Sequence, residues 1–337
     1  MKKFVKVLML ILVVFSLCGC GKKVKEEPKK DNKKKEEVVE EVKIIDVNSD
    51  TRPYAVMINC HNDALPHSGL QDAYIVYELL VEGGITRMMA LFKDADVSKI
   101  GSVRSARTQY LDYVYENDAI YVHAGGAIEA IQKINAEKIS DVDVDGKYGV
   151  RDTSLNRGWE HTLFTSTNLI KKGVSEKKIK DITSKGNLLT YQAKSIDFSK
   201  YEDKKDANDV SIKYSDYRTS NYKYDSNKKV YLRYMNNTAN KDLVTGKQYE
   251  VKNIIVYSVS HSTYESNGYY GYQKLSNVGS GEGYYISEGY AIPITWKKNS
   301  RTERTTYTVK ETGKELIVND GNTYIQIYPT SGKLTIK

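Results

Sequence analysis

The sequence predicts a mixed α+β protein, with a layered α/β first half and a mostly antiparallel β second half. Three observations carry that expectation. Across residues 51–180, short apolar runs alternate with glycine turns and with stretches of helical period, the pattern of strands interleaved with helices. From Val210 onward the chain turns to β-type runs, some alternating in twos and some nearly all apolar, between turn signals at Gly281-Glu282-Gly283, Gly313-Lys314 and Gly321-Asn322. Between them lies a polar, lysine-rich stretch, residues 181–207, which reads as the connection. The 337 residues, 40% hydrophobic and 28% charged, are enough for two domains.

The chain opens on a leader. Met1-Lys2-Lys3-Phe4 is a basic start, and residues 5–17 are apolar apart from Lys6 and Ser16. That run is short for a membrane span and right for a signal peptide, here residues 1–19. Its end, Leu17-Cys18-Gly19-Cys20, resembles the bacterial lipobox. The resemblance implies cleavage before Cys20, lipidation of Cys20 with diacylglycerol and palmitate, and a protein held at the extracytoplasmic face of the cell membrane.

Residues 20–50 follow as the lipidated cysteine and a charged linker. Residues 22–43 mix Lys and Glu with one Pro and offer too little apolar surface to offset the entropy of ordering, so a disordered tether is expected. About thirty flexible residues reach roughly 30 Å, enough to hold a domain off the bilayer. Beyond Cys18 and Cys20 the chain contains only Cys60, which rules out a disulfide framework. The formal charge of +8 includes Lys2, Lys3 and Lys6; the processed chain carries 8 − 3, or +5, spread over both signs. No nucleic-acid partner is expected from so small an excess.

In the first half, Arg52-Pro53 introduces an apolar strand over residues 54–59. Residues 74–81 and 85–93 form two further runs joined at Gly83-Gly84, a hairpin signal. Residues 100–103 read as a short strand, 106–116 as a helix, 120–123 as a strand, and 127–137 as an amphipathic helix after Gly125-Gly126. In open sheets of this kind, ligands gather beyond the carboxyl ends of strands and at the helix N-termini that follow.

That placement gives the charged residues their meaning. Arg104 and Arg107 sit at a strand-to-helix junction, and Arg87 opens the strand after the Gly-Gly turn. Guanidinium groups match phosphate or carboxylate oxygens in pairs, so an anion cleft is expected at Arg87, Arg104 and Arg107, with Arg151 beside them. Glu82 and Glu78 either neutralise these arginines or hold a cation beside a bound anion. The competing reading is a structural Arg–Glu network at the sheet edge. His123, at a strand end, faces the same cleft or serves as a hydrogen-bonded structural residue. Asp152, Glu78 and His161 are the candidates for a general base. No metal-ligand spacing, Gly-x-Ser-x-Gly or phosphate-cradling Gly-Lys-Ser loop is present, and Cys60-His61, adjacent on a strand, point to opposite faces.

These residues also carry a resemblance. Arg52-Pro53, Ala55-Val56-Met57-Ile58-Asn59, Ser68-Gly69-Leu70, Ile75-Val76-Tyr77-Glu78, Glu82-Gly83-Gly84-Ile85-Thr86-Arg87 and Ser102-Val103-Arg104-Ser105-Ala106-Arg107 are similar to the YerB-like lipoprotein family, as are His123-Ala124-Gly125-Gly126 and Arg151-Asp152. The resemblance covers about residues 52–336. It implies a Gram-positive lipoprotein built of an N- and a C-terminal domain of unknown function, and brings no established activity. A fainter similarity is to the LytR-CpsA-Psr phosphotransferases, through the order of Asp72, Arg104 and Gly125-Gly126. Ser105 stands where that family has an acidic residue after the arginine, which puts metal binding and catalysis in doubt.

In the second half, residues 208–337, the strand runs include Val230-Tyr231-Leu232-Arg233-Tyr234-Met235, Ile254-Ile255-Val256-Tyr257-Ser258-Val259 and Tyr324-Ile325-Gln326-Ile327-Tyr328. Residues 283–296 and 305–328 read as successive hairpins, and the whole as a sandwich or roll. The chain has 28 Tyr against 5 Phe, residues that pack strands while presenting a hydroxyl. Trp296 and its neighbouring tyrosines either pair across strands or line a groove.

The expected protein is thus a membrane-anchored, extracytoplasmic lipoprotein whose first half binds an anionic cell-envelope ligand, a phosphorylated or carboxylated wall precursor. Two alternatives remain: a phosphotransferase or hydrolase acting on polyprenyl-pyrophosphate-linked precursors, the one case that brings in Mg²⁺, and a protein-interaction adaptor with a purely structural Arg–Glu network.

Overall fold

Strands from both halves of the chain hydrogen-bond into one sheet. The computed structural model describes residues 41–266 and 268–337. The leader, Cys20 and the linker up to residue 40 lie outside the described residues. The linker expected to run to residue 50 gives way to folded chain earlier: the backbone N–H groups of Lys43 and Ile44 both donate to the Asp320 carboxylate at 3.0 Å, and Ile45 is buried.

The first half supplies β1 (Tyr54–Asn59), β2 (Ile75–Leu80), β3 (Thr86–Phe92), β4 (Ile100–Gly101), β5 (Ile120–His123) and β6 (Asp141–Asp143), with helices α1 (Thr108–Glu116), α2 (Ile128–Ala136) and α3 (Thr167–Glu176). β1 is buried along its whole length because it lies between β3, antiparallel, and β5, parallel. β2 and β3 form the expected hairpin, and Gly83 and Gly84 both take φ near +69°, a conformation costly for any other residue. α1 starts two residues later than the period suggests. Ala106 is held extended between Gly125, whose carbonyl accepts its N–H at 2.9 Å, and Ala127, which donates to its carbonyl at 3.2 Å.

The expected hairpin over residues 305–328 does not form. Thr306–Val309 does pair with Tyr290–Lys298, but Thr323–Pro329 returns to the middle of the sheet, parallel to both β2 and Asn253–Val259. Its residues are nearly all buried, which suits a central parallel strand rather than a hairpin edge. The result is a mixed sheet of eleven strands shared by both halves. Gly281-Glu282-Gly283 is not a turn either. It lies inside Gly279–Ser287, where a Cβ on Gly283 would stand 2.4 Å from the Val256 carbonyl oxygen, so only glycine lets the strands approach. The chain turns instead at Glu288-Gly289, both with positive φ.

A second, antiparallel sheet of six strands, including Asp209–Lys213, Thr219–Asp225 and Val230–Met235, covers one face of the first. Val76, Met88 and Ala90 pack there with Val210, Ile212 and Tyr231. On the opposite face Met57, Leu79 and Met89 pack with Tyr110, Leu111 and Val114 of α1. The connection, residues 181–207, is woven in: Thr190–Gln192 pairs in parallel with Ile317–Asn319, and Leu189 and Phe198 are core residues. Trp296 is 4% exposed and stacked on Tyr257 at 4.8 Å, so it packs rather than lining a groove.

Candidate functional site

Alternation along β2 and β3 decides which charged groups can meet. Thr86 and Met88 face the second sheet, so Arg87 points to the α1 side. There its Nη1 donates to the Ser105 carbonyl at 2.6 Å, and Arg107 Nη1 reaches the same oxygen at 3.5 Å. Two guanidinium groups therefore share one acceptor. Arg107 Nε also donates to Glu82 Oε1 at 2.5 Å, while Glu82 Oε2 is buried with no partner among the described residues. Burial, followed by the charge of Arg107, pushes Arg87 down to about 10.

Arg104 lies one step nearer the rim. Its backbone is tied down, its N–H donating to Met57 and its carbonyl accepting from Ala124. Its half-buried guanidinium has no hydrogen bond or ion pair among the described residues. Burial lowers its pKa; Glu160 and Glu82 work in the opposite direction, and Arg107 and Arg151 add to the lowering. The hairpin of His261–Ser266 and Tyr269–Leu275 closes one side, with Tyr272 lying 5.9 Å from Arg107 and Tyr264 donating to Glu129 of α2 at 2.8 Å.

The opposite rim comes from two turns. Trp159–His161 forms one turn of 3₁₀ helix, and Asn62–Ala64 another. The His61 and His161 rings stack at 4.9 Å. Arg151 lies over the Trp159 ring at 4.2 Å and is held there by bonds to the Trp159 carbonyl at 2.7 Å and to Asp145 at 2.8 Å.

His61, Asp63 and His161 each offer a metal-ligand atom within 4.8 Å of the others, a grouping that local sequence spacing could not reveal. The hydrogen bonds around it do not fit a metal ion. Asn59 Oδ1 accepts the His61 N–H at 3.0 Å, which turns its amide nitrogen toward His161 Nδ1 at 2.8 Å. Nδ1 is therefore an acceptor, and the neutral ring carries its proton on Nε2. A metal on Nε2 would move that proton to Nδ1, facing another N–H donor, whereas metal-bound histidines donate through their second nitrogen. Burial also holds the His161 pKa below its ordinary value. His161 thus presents a neutral N–H at the rim and has no free nitrogen lone pair with which to act as a base.

The other base candidates stand elsewhere. Glu78 faces the second sheet and is sealed: Arg233 Nη2 reaches Oε2 at 2.9 Å, Thr86 Oγ1 donates to Oε1 at 2.7 Å and Ser220 Oγ at 2.9 Å. Burial opposes its charge, but Arg233 and the hydroxyls outweigh burial and keep its pKa below the usual range. Asp152 lies in another recess, paired with Lys99 at 2.6 Å, which together with Ser154 pulls it down to about 2. His123 is buried, its Nδ1 bonded to the Gly125 carbonyl at 2.9 Å and its Nε2 3.4 Å from Asp141, so it braces the turn behind the cleft. A separate open groove of about 800 Å³ contains Asp72 and Asp242 and none of the cleft arginines. Of the expected site residues, then, Arg87, Arg104, Arg107 and Glu82 come together, with Arg151 and His161 at the rim; Glu78, Asp152 and His123 do not join them.

The comparisons with known proteins agree with one another. Residues 42–180 match the N-terminal domain, and residues 210–325 the C-terminal domain, of the protein of unknown function DUF3048. The chain is 31% identical to "Putative lipoprotein YerB" of Bacillus subtilis (strain 168), over 98% of this chain and 96% of that protein. It superposes on the crystal structure of the YerB protein from Bacillus subtilis with a TM-score of 0.72 and 27% identity, covering 85% of this chain and 94% of that one. Among the described residues no helix is long and apolar enough to cross a membrane. The chain belongs to the YerB-like lipoprotein family, whose two domains are of unknown function.

Proposed function

We propose that this protein is a lipoprotein anchored through Cys20 at the extracytoplasmic face of the membrane, and that it binds a phosphorylated or carboxylated envelope ligand. Its signal peptide and linker would present the folded body to the cell envelope. Its first half acts as an α/β platform for the cleft. The observation that carries the reading is Arg104: a half-buried guanidinium with no direct hydrogen bond or ion pair among the described residues, beside Arg87 and Arg107, which have one bonded carboxylate, Glu82, between them there. A structural network would pair each cation. Here a donor group is left over, and the Nε2–H of His161 stands at the rim.

The test is thermal melting and calorimetric titration of the chain from Gly21 onward with inorganic phosphate and pyrophosphate. The expected result is saturable binding that Arg104→Ala reduces at least tenfold while melting within a few degrees of the parent. No binding by the parent, or an Arg104→Ala protein that binds equally well, overturns the reading.

A further inference from the structure

The rim beside Arg104 carries groups that a bare anion would not need. Trp159 is 64% exposed, although an indole in water loses the burial that makes the residue useful. It is also oriented: Arg151 covers one ring face at 4.2 Å and bonds the Trp159 carbonyl. Next to it stand two exposed carboxylates, Glu160 and Asp63, with side chains 51% and 70% exposed. Carboxylates beside an anion site weaken it by repulsion. They make sense if the ligand continues past its anion into a neutral part rich in hydroxyl groups.

We propose that the cleft takes a glycosyl phosphate, with the phosphate on Arg104 and Arg107 and the sugar ring on Trp159. The apolar C–H face of a pyranose lies flat on an aromatic ring, and its hydroxyls donate to Glu160 and Asp63. The Nε2–H of His161, between the two parts, donates to a bridging oxygen. This inference rests on the anion reading above and names its ligand class.

The experiment separates the two. Inorganic phosphate, glucose 1-phosphate, N-acetylglucosamine 1-phosphate and unphosphorylated N-acetylglucosamine are titrated into the chain from Gly21 onward, its Trp159→Ala and Arg104→Ala variants, and a Glu160→Gln variant. A sugar phosphate is expected to bind about tenfold tighter than inorganic phosphate. Trp159→Ala should erase that advantage and leave phosphate binding unchanged; Arg104→Ala should lose both. Glu160→Gln should weaken the sugar phosphate and strengthen inorganic phosphate, a crossing that a merely structural role would not produce. Because the only other tryptophan, Trp296, is buried, the Trp159 fluorescence change reports contact with the sugar directly. A further arm with a prenyl-linked sugar pyrophosphate tells a lipid-carried sugar from a free one. Equal affinity for phosphate and sugar phosphate, or an unaffected Trp159→Ala, overturns the sugar inference and leaves the anion reading standing. Binding of neither overturns both.

Discussion

The buried pair of Glu78 and Arg233 joins the two halves of the chain, and Arg233→Met tests that role. Both side chains are 0% exposed, and the carboxylate sits 2.9 Å from the guanidinium. Methionine fills much of the volume and leaves Glu78 with only the Thr86 and Ser220 hydroxyls as donors. Stranding one member of a buried pair costs about 3–5 kcal/mol. The pH dependence fixes the cause. In the parent, the Glu78 pKa lies below its usual value, so its stabilisation is present above the unfolded value of about 4.3 and is lost as pH falls through the lower folded value. Without Arg233, burial outweighs the two remaining hydroxyl donors and raises the folded pKa above 4.3, so the variant loses stability as pH rises from there. The gap between parent and variant should therefore widen between pH 4.5 and 7.5. Urea unfolding followed by circular dichroism measures it, and Glu78→Gln combined with Arg233→Met should recover at least half the loss. A gap under about 1 kcal/mol, or one that stays constant with pH, would refute the reasoning.

Two other outcomes are expected. Glu82→Gln removes the carboxylate bonded to Arg107, so phosphate affinity should rise several-fold while stability falls by about 1 kcal/mol, measured by titration and urea melts; weaker phosphate binding would count against the cleft. His67 is fully buried, with Nε2 2.8 Å from the Asn59 carbonyl, and burial pushes it down to about 3. The unfolded chain then binds a proton that the folded one refuses, so stability should fall as pH drops from about 6.5 toward 3, by up to about 4 kcal/mol. His67→Gln should make that acid limb shallower; an identical limb would place the acid sensitivity elsewhere.

Much of the local structure was legible. β1 is an apolar run after Arg-Pro, β2 and β3 are joined by Gly-Gly, and α2 has a clear helical period; each depends on neighbours in sequence. The cleft arginines were legible for the same reason, since Arg104 and Arg107 belong to one junction and Arg87 opens the strand beside it. The role of Glu78 was not. It differs from Glu82 by four positions, yet β2 ends between them, so Glu82 turns back to Arg107 while Glu78 faces a sheet built from residues more than a hundred positions later. The rim was hidden too. His61 and His161 are a hundred residues apart, and only Asn59, bonded to both, decides where the His161 proton sits.

The sequence by itself determined the elements of the first half, the strand character of the second, the family, and which cations could serve an anion. These follow from periodicity, turn chemistry and residue type, all short-range properties. Tertiary structure decided that the halves share one sheet, because Thr323–Pro329 is buried on both faces and finds two parallel partners only between β2 and Asn253–Val259. It also decided which cleft arginine makes no direct ion pair among the described residues. Pairing of that kind depends on which face of a strand a side chain leaves from and what the rest of the chain lays against it, and neither is written in local spacing.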